Sequence, residues 1–296
     1  MTIQNTHRVV GGNPVNNIIN PPSNNVVKDL QNMSTVVCHF HNEEHLLPWW
    51  LEHHKRIFDH GIMIDYHSTD RSMEIIREIC PDWEIRYTRN KFFDSVPVDE
   101  EVMNIEKVLG GWRMALNVTE FLYGNVDRLG HFGEPTQFYI GNYVFVDMED
   151  PSKGNTLLDH RHPLHKQRYW GYDEFRNTGE ARATETMGRM SRSIHNYPIT
   201  YPPGRHFGGD PDSISKCKPT FDDLAIFYYG WADLSFNGLK RKDQIKHKST
   251  ETGSVHNKTA EQFAEINRGL QGISRDLRAE IANILEHNRR ITGTEW

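Results

Sequence analysis

Cysteine is scarce in this chain of 296 residues, with three in all, and their placement excludes more than their number does. Cys38, Cys80 and Cys217 lie far apart and form neither a Cys-x-x-Cys pair nor a Cys/His finger. That rules out a disulfide framework and a zinc ribbon, and the thiols read as buried and reduced in an intracellular protein. Long apolar runs are also missing. Nothing approaches the roughly 20 residues of a membrane span, and the N-terminus lacks the basic-then-apolar pattern of a signal peptide. There is no excess of positive charge either: the formal charge is −6 at pH 7, which disfavours a nucleic-acid partner. The expectation is a cytoplasmic protein with no membrane span.

What is present is an alternation of strand and helix patterns. Residues 1–33, rich in Asn, Pro and Gly with no sustained period, read as a flexible arm. Thr35 to Phe40 is a β-branched and aromatic run that suits a buried strand. Residues 43–58 carry Leu46, Leu47, Trp50, Leu51, His54 and Ile57 at helical spacing, with Pro48 tolerable near the first turn. Ile62 to Tyr66 reads as a second strand and Ser72 to Cys80 as a helix capped by Ser68-Thr69-Asp70. Trp83 to Tyr87, Glu100 to Leu109 and Gly111 to Leu116 continue as strand, helix, strand. This rhythm predicts a Rossmann-like, mostly parallel, doubly wound sheet flanked by helices. Ligands of such sheets bind beyond the C-terminal strand ends, where His39, Asp65 and Asn117 fall.

The second half reads differently. Residues 137–147 form one longer extended stretch, and 151–218 are dense in His, Arg, Gly and Pro, as in loops that build an acceptor site. A helical pattern over about 259–290 predicts one long C-terminal helix, packed across the domain or pairing with a second copy of the chain as a homo-oligomer.

Asp65-Tyr66-His67-Ser68-Thr69-Asp70 follows a strand and opens a helix, so its groups can meet an anionic or ribose-bearing ligand, or simply cap the helix. Taken with Asn42-Glu43-Glu44, Trp50-Leu51-Glu52-His53 and Ala115 to Phe121, the order and spacing resemble glycosyltransferases of the GT-A fold, in their family-2-like group. The likeness covers about residues 35–123. It implies an α/β nucleotide-diphospho-sugar transferase fold over 34–258, with a nucleotide-binding half at 34–123, an acceptor half at 124–258 and a helical extension at 259–296. The donor would be a UDP- or GDP-linked sugar and the acceptor a glycan or other hydroxyl compound. The resemblance places Asp65, Ser68 and Asp70 at the base and ribose, with His41, Asn42 and Glu43 flanking the same pocket.

Members of that group hold Mg²⁺ or Mn²⁺ on an Asp-x-Asp, which neutralises the departing diphosphate. Here Asn117 and Thr119 stand in the aspartate positions, while Glu120 and Phe121 keep theirs. Three explanations follow. Glu120 holds the metal together with a late histidine, His206 first and His247 or His256 next. Or basic side chains such as Lys240, in the run Lys240-Arg241-Lys242, clamp the phosphates instead. Or the protein binds sugar nucleotides without turning them over, as a non-catalytic binding protein on the same fold. For a catalytic base beside the acceptor, Asp173, Glu174, Asp210 and Asp212 are available, with Asp210 and Asp173 the chosen pair. His160-x-His162-x-x-His165 lacks standard zinc spacing and gives only weak support for a metal hydrolase.

Overall fold

In the computed structural model, β1 (Thr35–Phe40) is buried along its whole length, as a strand covered on both faces must be. It pairs in parallel with β2 (His60–Asp65) on one side and β4 (Arg113–Ala115) on the other. β3 (Glu84–Tyr87) continues in parallel beyond β2. Beyond β4 come β9 (Arg192–His195) and then β6 (Gln137–Ile140), each antiparallel to its neighbour, giving the order β3-β2-β1-β4-β9-β6. The chain leaves β1 towards β2 and β3 and returns to its opposite flank at β4. Such a reversal opens a crevice beyond the C-terminal ends of β1 and β4. The structure describes residues 33–124, 134–153, 157–174, 192–205, 224–246, 249–250 and 258–292.

A second sheet corrects the expectation of one. Its order is β11 (Arg275–Asp276), β8 (Trp170–Asp173), β7 (Asn142–Val146), β10 (Leu224–Trp231) and β5 (Glu120–Gly124). Over its described residues the protein is therefore a mixed α/β chain with two sheets. The extended stretch at 137–147 is divided at Gly141, with β6 joining the first sheet and β7 the second. A pattern of alternating side chains cannot reveal that division, because it records burial and not the identity of the neighbouring strand.

The helices are α1 (Leu47–His54), α2 (Ser72–Ile79), α3 (Ser95–Glu106), α4 (Leu164–Gln167), α5 (Phe236–Lys246), α6 (Ala260–Gln271) and α7 (Arg278–Thr292). α1 is shorter than its pattern, because Leu46 and Leu47 both donate to the Glu43 carbonyl in a turn before it. α3 begins five residues earlier than expected, with Pro97 in its first turn, where a missing N–H costs nothing. The single C-terminal helix is two helices. α6 starts on a capping box between Thr259 and Gln262, and the chain breaks at 272–277, where β11 pairs with β8 and the Leu277 N–H reaches the Tyr169 carbonyl. Leu277, Ile281 and Ile284 then pack into the main core.

His54 ties α1 to the second sheet. Its Nε2 accepts the Leu122 N–H at 3.1 Å, so the proton sits on Nδ1, which donates to the Trp50 carbonyl at 2.9 Å. Burial holds His54 well below 6.5, the ordinary value, and brings His53 to about 3 and His165 to about 4. A histidine whose folded pKa is depressed binds its proton first in the unfolded chain. Its stabilising share is therefore complete above pH 6.5 and is lost as pH falls towards the folded value. Each of the three is expected to cost about 1.4 kcal/mol per pH unit inside that window. Urea unfolding at pH 7 and pH 5 measures the slope, which His54→Leu should reduce; an identical slope in the variant would remove His54 from this account.

Candidate functional site

The loop after β1 is held by the loop after β2. Asn42 turns the chain at φ 52°, a left-handed conformation that asparagine tolerates. Its N–H donates to Ser68 Oγ at 3.0 Å, and its Oδ1 accepts the Thr69 N–H at 2.7 Å. The Glu43 N–H donates to Ser72 Oγ at 2.8 Å and the Glu44 N–H to Asp70 Oδ2 at 3.0 Å. Asp65 Oδ1 accepts the Ser68 N–H at 2.9 Å. The two motifs do meet. Much of the hydrogen-bonding capacity of Asn42, Ser68 and Asp70 goes into joining the loops to each other, while Asp65 braces the second loop from within.

The turn after β4 is set by Glu120 and Trp50. The Glu120 N–H closes the turn on the Asn117 carbonyl at 2.9 Å, and the Asn117 N–H returns to Glu120 Oε2 at 2.7 Å. The indole N–H of Trp50, buried in α1, is shared between the Asn117 and Glu120 carbonyls at 3.1 and 2.9 Å. The Trp of the sequence motif thus fixes this turn from below. Arg192, at the start of β9, grips Glu120 with Nε to Oε2 at 2.9 Å and Nη2 to Oε1 at 2.5 Å, both side chains being 1% exposed.

A cavity of about 290 Å³ opens between these loops. It lies at the ends of β1 and β4, where the strand order reverses. His39, His41 and Glu43 line one side, Asn117, Thr119 and Glu120 another, and α3 contributes Asp99. Arg192, Arg205, Arg241 and Lys242 complete the wall, with Trp231 and Phe263.

Three of those cations have carboxylate partners. Arg205 follows Gly204 in a left-handed turn (φ 89° and 53°) and pairs with Asp99, whose other oxygen accepts the Gly204 N–H at 2.7 Å. Its Nη2 also donates to Asn117 Oδ1 at 3.0 Å and faces the His39 ring, 2.9 Å from Nδ1 and 3.2 Å from Nε2. Arg241 donates to Glu43 Oε1 at 2.9 Å. Burial raises both Glu43 and Asp99, and their arginines offset part of that rise. Lys242 is different. Its ammonium lies 4.6 Å from the Trp231 ring and 4.5 Å from that of Phe263, with no ion pair to a described carboxylate. Burial, then the nearby Arg241, holds it well below the ordinary lysine value. Buried atoms also remain without a hydrogen bond here: Nε of Arg205, Nε of Arg241 and Oε2 of Glu43.

The expected site residues separate accordingly. His41, Glu43, Asn117, Thr119 and Glu120 line the cavity. Asn42, Asp70 and Lys240 line a neighbouring one, while Asp65 and Ser68 lie in the joined loops behind. Asp173 is buried in β8 of the second sheet, opposite Tyr143, and is not part of the cavity wall. His206, Asp210, Asp212, His247 and His256 lie outside the described residues. Among the described residues no three His, Cys, Asp or Glu side chains are grouped to hold a metal ion. Both Glu120 oxygens face Arg192, and the Asn117 amide oxygen faces Arg205, so this donor set suits a guanidinium better than a divalent cation. Of the histidine triplet, His160 stacks on Trp49 at 3.6 Å and His165 bonds to the Tyr123 hydroxyl.

Sequence reading gave the cationic wall only partial notice. Lys240-Arg241-Lys242 stood out as a run, but α5 turns Arg241 and Lys242 inward and leaves Lys240 exposed. Arg205 was passed over for its neighbour His206.

No known family profile matches the chain, and no curated protein matches it. Among solved structures that do match is TarS of S. aureus, at 12% identity and a TM-score of 0.27, covering 39% of this chain. The match spans 21% of that protein's length. A likeness this slight carries no argument about the site. Among the described residues, no helix is long and apolar enough to cross a membrane.

Proposed function

We propose that the cavity beyond β1 and β4 binds a nucleoside diphosphate sugar, of the UDP or GDP class, and that the protein transfers the sugar to a carbohydrate or other hydroxyl acceptor. Buried cationic side chains take the role that a metal has in the family the sequence resembles. One observation carries this reading: Arg205, Arg241 and Lys242 surround one cavity at the switch point, and the buried Nε of each arginine has no hydrogen-bond acceptor among the described residues. A buried donor without an acceptor costs about 1–3 kcal/mol, so a ligand supplying phosphate oxygens recovers that cost. The wall holds four cations against three carboxylates, Glu43, Asp99 and Glu120. A bound diphosphate would also favour the charged form of Lys242, against the burial that disfavours it.

The base is placed towards His39 and Phe93, whose rings lie 4.9 Å apart at the cavity edge. The diphosphate then rests against Arg205, Arg241 and Lys242. When the anomeric carbon–oxygen bond breaks, charge grows on the departing diphosphate. Prearranged guanidinium groups stabilise it without reorganising, and Arg suits paired phosphate oxygens.

A second reading keeps the ligand and drops the chemistry. Asp99 and Glu120 are engaged by arginines and Glu43 by Arg241, so among the described residues the cavity wall offers no carboxylate that is not already paired. A sugar-nucleotide-binding protein fits that observation.

Thermal unfolding with UDP, GDP and their sugars, in EDTA and again with Mn²⁺, tests the proposal. Ligand at a hundred times its Kd should stabilise the fold by about 2.7 kcal/mol, and the gain should survive EDTA. No response to either nucleotide at millimolar concentration would remove the donor site. A response that vanishes in EDTA and returns with Mn²⁺ would remove the replacement of metal by side chains. Release of UDP or GDP from the donor separates transferase from binding protein.

A further inference from the structure

A second cavity, of about 260 Å³, adjoins the first, and Arg241 borders both. His45 stands on its wall, backed by the buried Asp233. His45 Nε2 lies 2.6 Å from Asp233 Oδ2. Asp233 is buried, and its other oxygen accepts the Ser235 N–H at 2.9 Å. Since a carboxylate only accepts, Nε2 carries the proton of the neutral ring, and in that form Nδ1 holds the lone pair. Nδ1 has no hydrogen bond to any described residue, and the ring lines the cavity. Burial works to raise Asp233, but hydrogen bonds from His45 and Ser235 outweigh it and keep the carboxyl below its ordinary value. Asp233 therefore stays an anion able to stabilise an imidazolium.

The rest of the wall suits a polyhydroxylated ligand. Asn237 and Gln244 offer amides, and the charged groups around His45 are Glu44 and Asp70 against Arg71, Lys240 and Arg241. His160, stacked flat on Trp49, closes one side with a ring face, which suits the C–H face of a sugar.

We propose that this cavity receives the hydroxyl acceptor of the transfer, a carbohydrate or similar polyol, and that His45 is the base that takes its proton. The proposal rests on the reading of the first cavity as the donor site. In the step, the acceptor oxygen bonds to the anomeric carbon while the bond from that carbon to the diphosphate breaks. The electron pair leaves on the diphosphate, towards the cations around Arg241. The hydroxyl proton passes to His45 Nδ1 and then to solvent, while Nε2–H stays on Asp233. Asp233 is a positioning residue: it sets the tautomer and steadies the charge that forms.

The test uses the full chain with UDP-glucose and GDP-mannose as donors, and water or a panel of monosaccharides as acceptors. His45→Gln should leave UDP or GDP affinity within about twofold of wild type by calorimetry. It should lower release of UDP or GDP about 10²- to 10⁴-fold, the usual yield of general-base catalysis, and abolish the low-pH limb of the rate profile. Asp233→Asn should lower the rate less and displace that limb rather than abolish it. His45→Gln with an unchanged rate and pH profile overturns the proposal. So does a wild type that binds nucleotide but turns over neither donor, in which case the donor site survives without its transferase chemistry. Absence of nucleotide binding overturns both.

Discussion

Arg192→Met is expected to lower the free energy of unfolding by about 3–5 kcal/mol. The arginine and Glu120 are both almost fully enclosed and meet through two hydrogen bonds, at 2.9 and 2.5 Å. Removing the guanidinium leaves a carboxylate with no water to solvate it. The damage extends beyond the pair. Glu120 opens β5 of the second sheet and Arg192 opens β9 of the first, so the bond couples the sheets. Arg192 Nη1 also donates to the Gly204 carbonyl at 2.7 Å, which steadies the turn that presents Arg205. Adding Glu120→Gln to the first variant should restore most of the loss, since an amide needs no counter-charge and can still accept the Asn117 N–H. Urea unfolding of the two single variants and the double variant gives the coupling energy. A cost below about 1 kcal/mol for Arg192→Met would mean the side chains do not form a buried pair.

Lys242→Met should move stability and binding in opposite directions. The folded chain holds this amine well below its ordinary value because burial disfavours the ammonium. Below pH 10.5 the unfolded chain binds that proton more readily than the folded one, so the lysine subtracts from stability, and less so as pH rises. Methionine has a similar length and no proton to lose, and it packs against Trp231 and Phe263 as a thioether can. The melting temperature at pH 7 is therefore expected to stay level or rise. Affinity for UDP or inorganic pyrophosphate should fall by about 1.5–3 kcal/mol, the worth of a charged hydrogen bond, or about tenfold to a hundredfold. Unchanged pyrophosphate affinity in the variant would remove Lys242 from the phosphate site.

Much of the first sheet was legible because its strands are continuous β-branched and aromatic runs separated by helical periods. Thr35 to Phe40, Ile62 to Tyr66 and Trp83 to Tyr87 all announce themselves in this way, and the structure places a strand in each. The neighbourhood of Asn42-Glu43-Glu44 and Ser68-Thr69-Asp70 was legible too, since both follow the ends of adjacent parallel strands. Their hydrogen bonding to each other was not, because capping, ligand binding and loop joining ask for the same residue types. The long helical pattern at the C-terminus misled for a related reason. Its apolar spacing persists across 272–277, yet pairing of β11 with β8 outweighs propensity there.

Local pattern alone thus determined the alternating units, the crevice at their ends and the neutral side chains of Asn117 and Thr119 beside Glu120. Tertiary structure decided which charged side chains face that crevice. Arg192, Arg205, Arg241 and Lys242 come from three separate segments, and each sits among ordinary loop or helix residues in the sequence. Charge is carried by residue type, but whether a cation points into water or into a dry cavity depends on which elements pack around it. That is a long-range property, and only folding brings Glu120 and Arg192, 72 positions apart, within reach of each other.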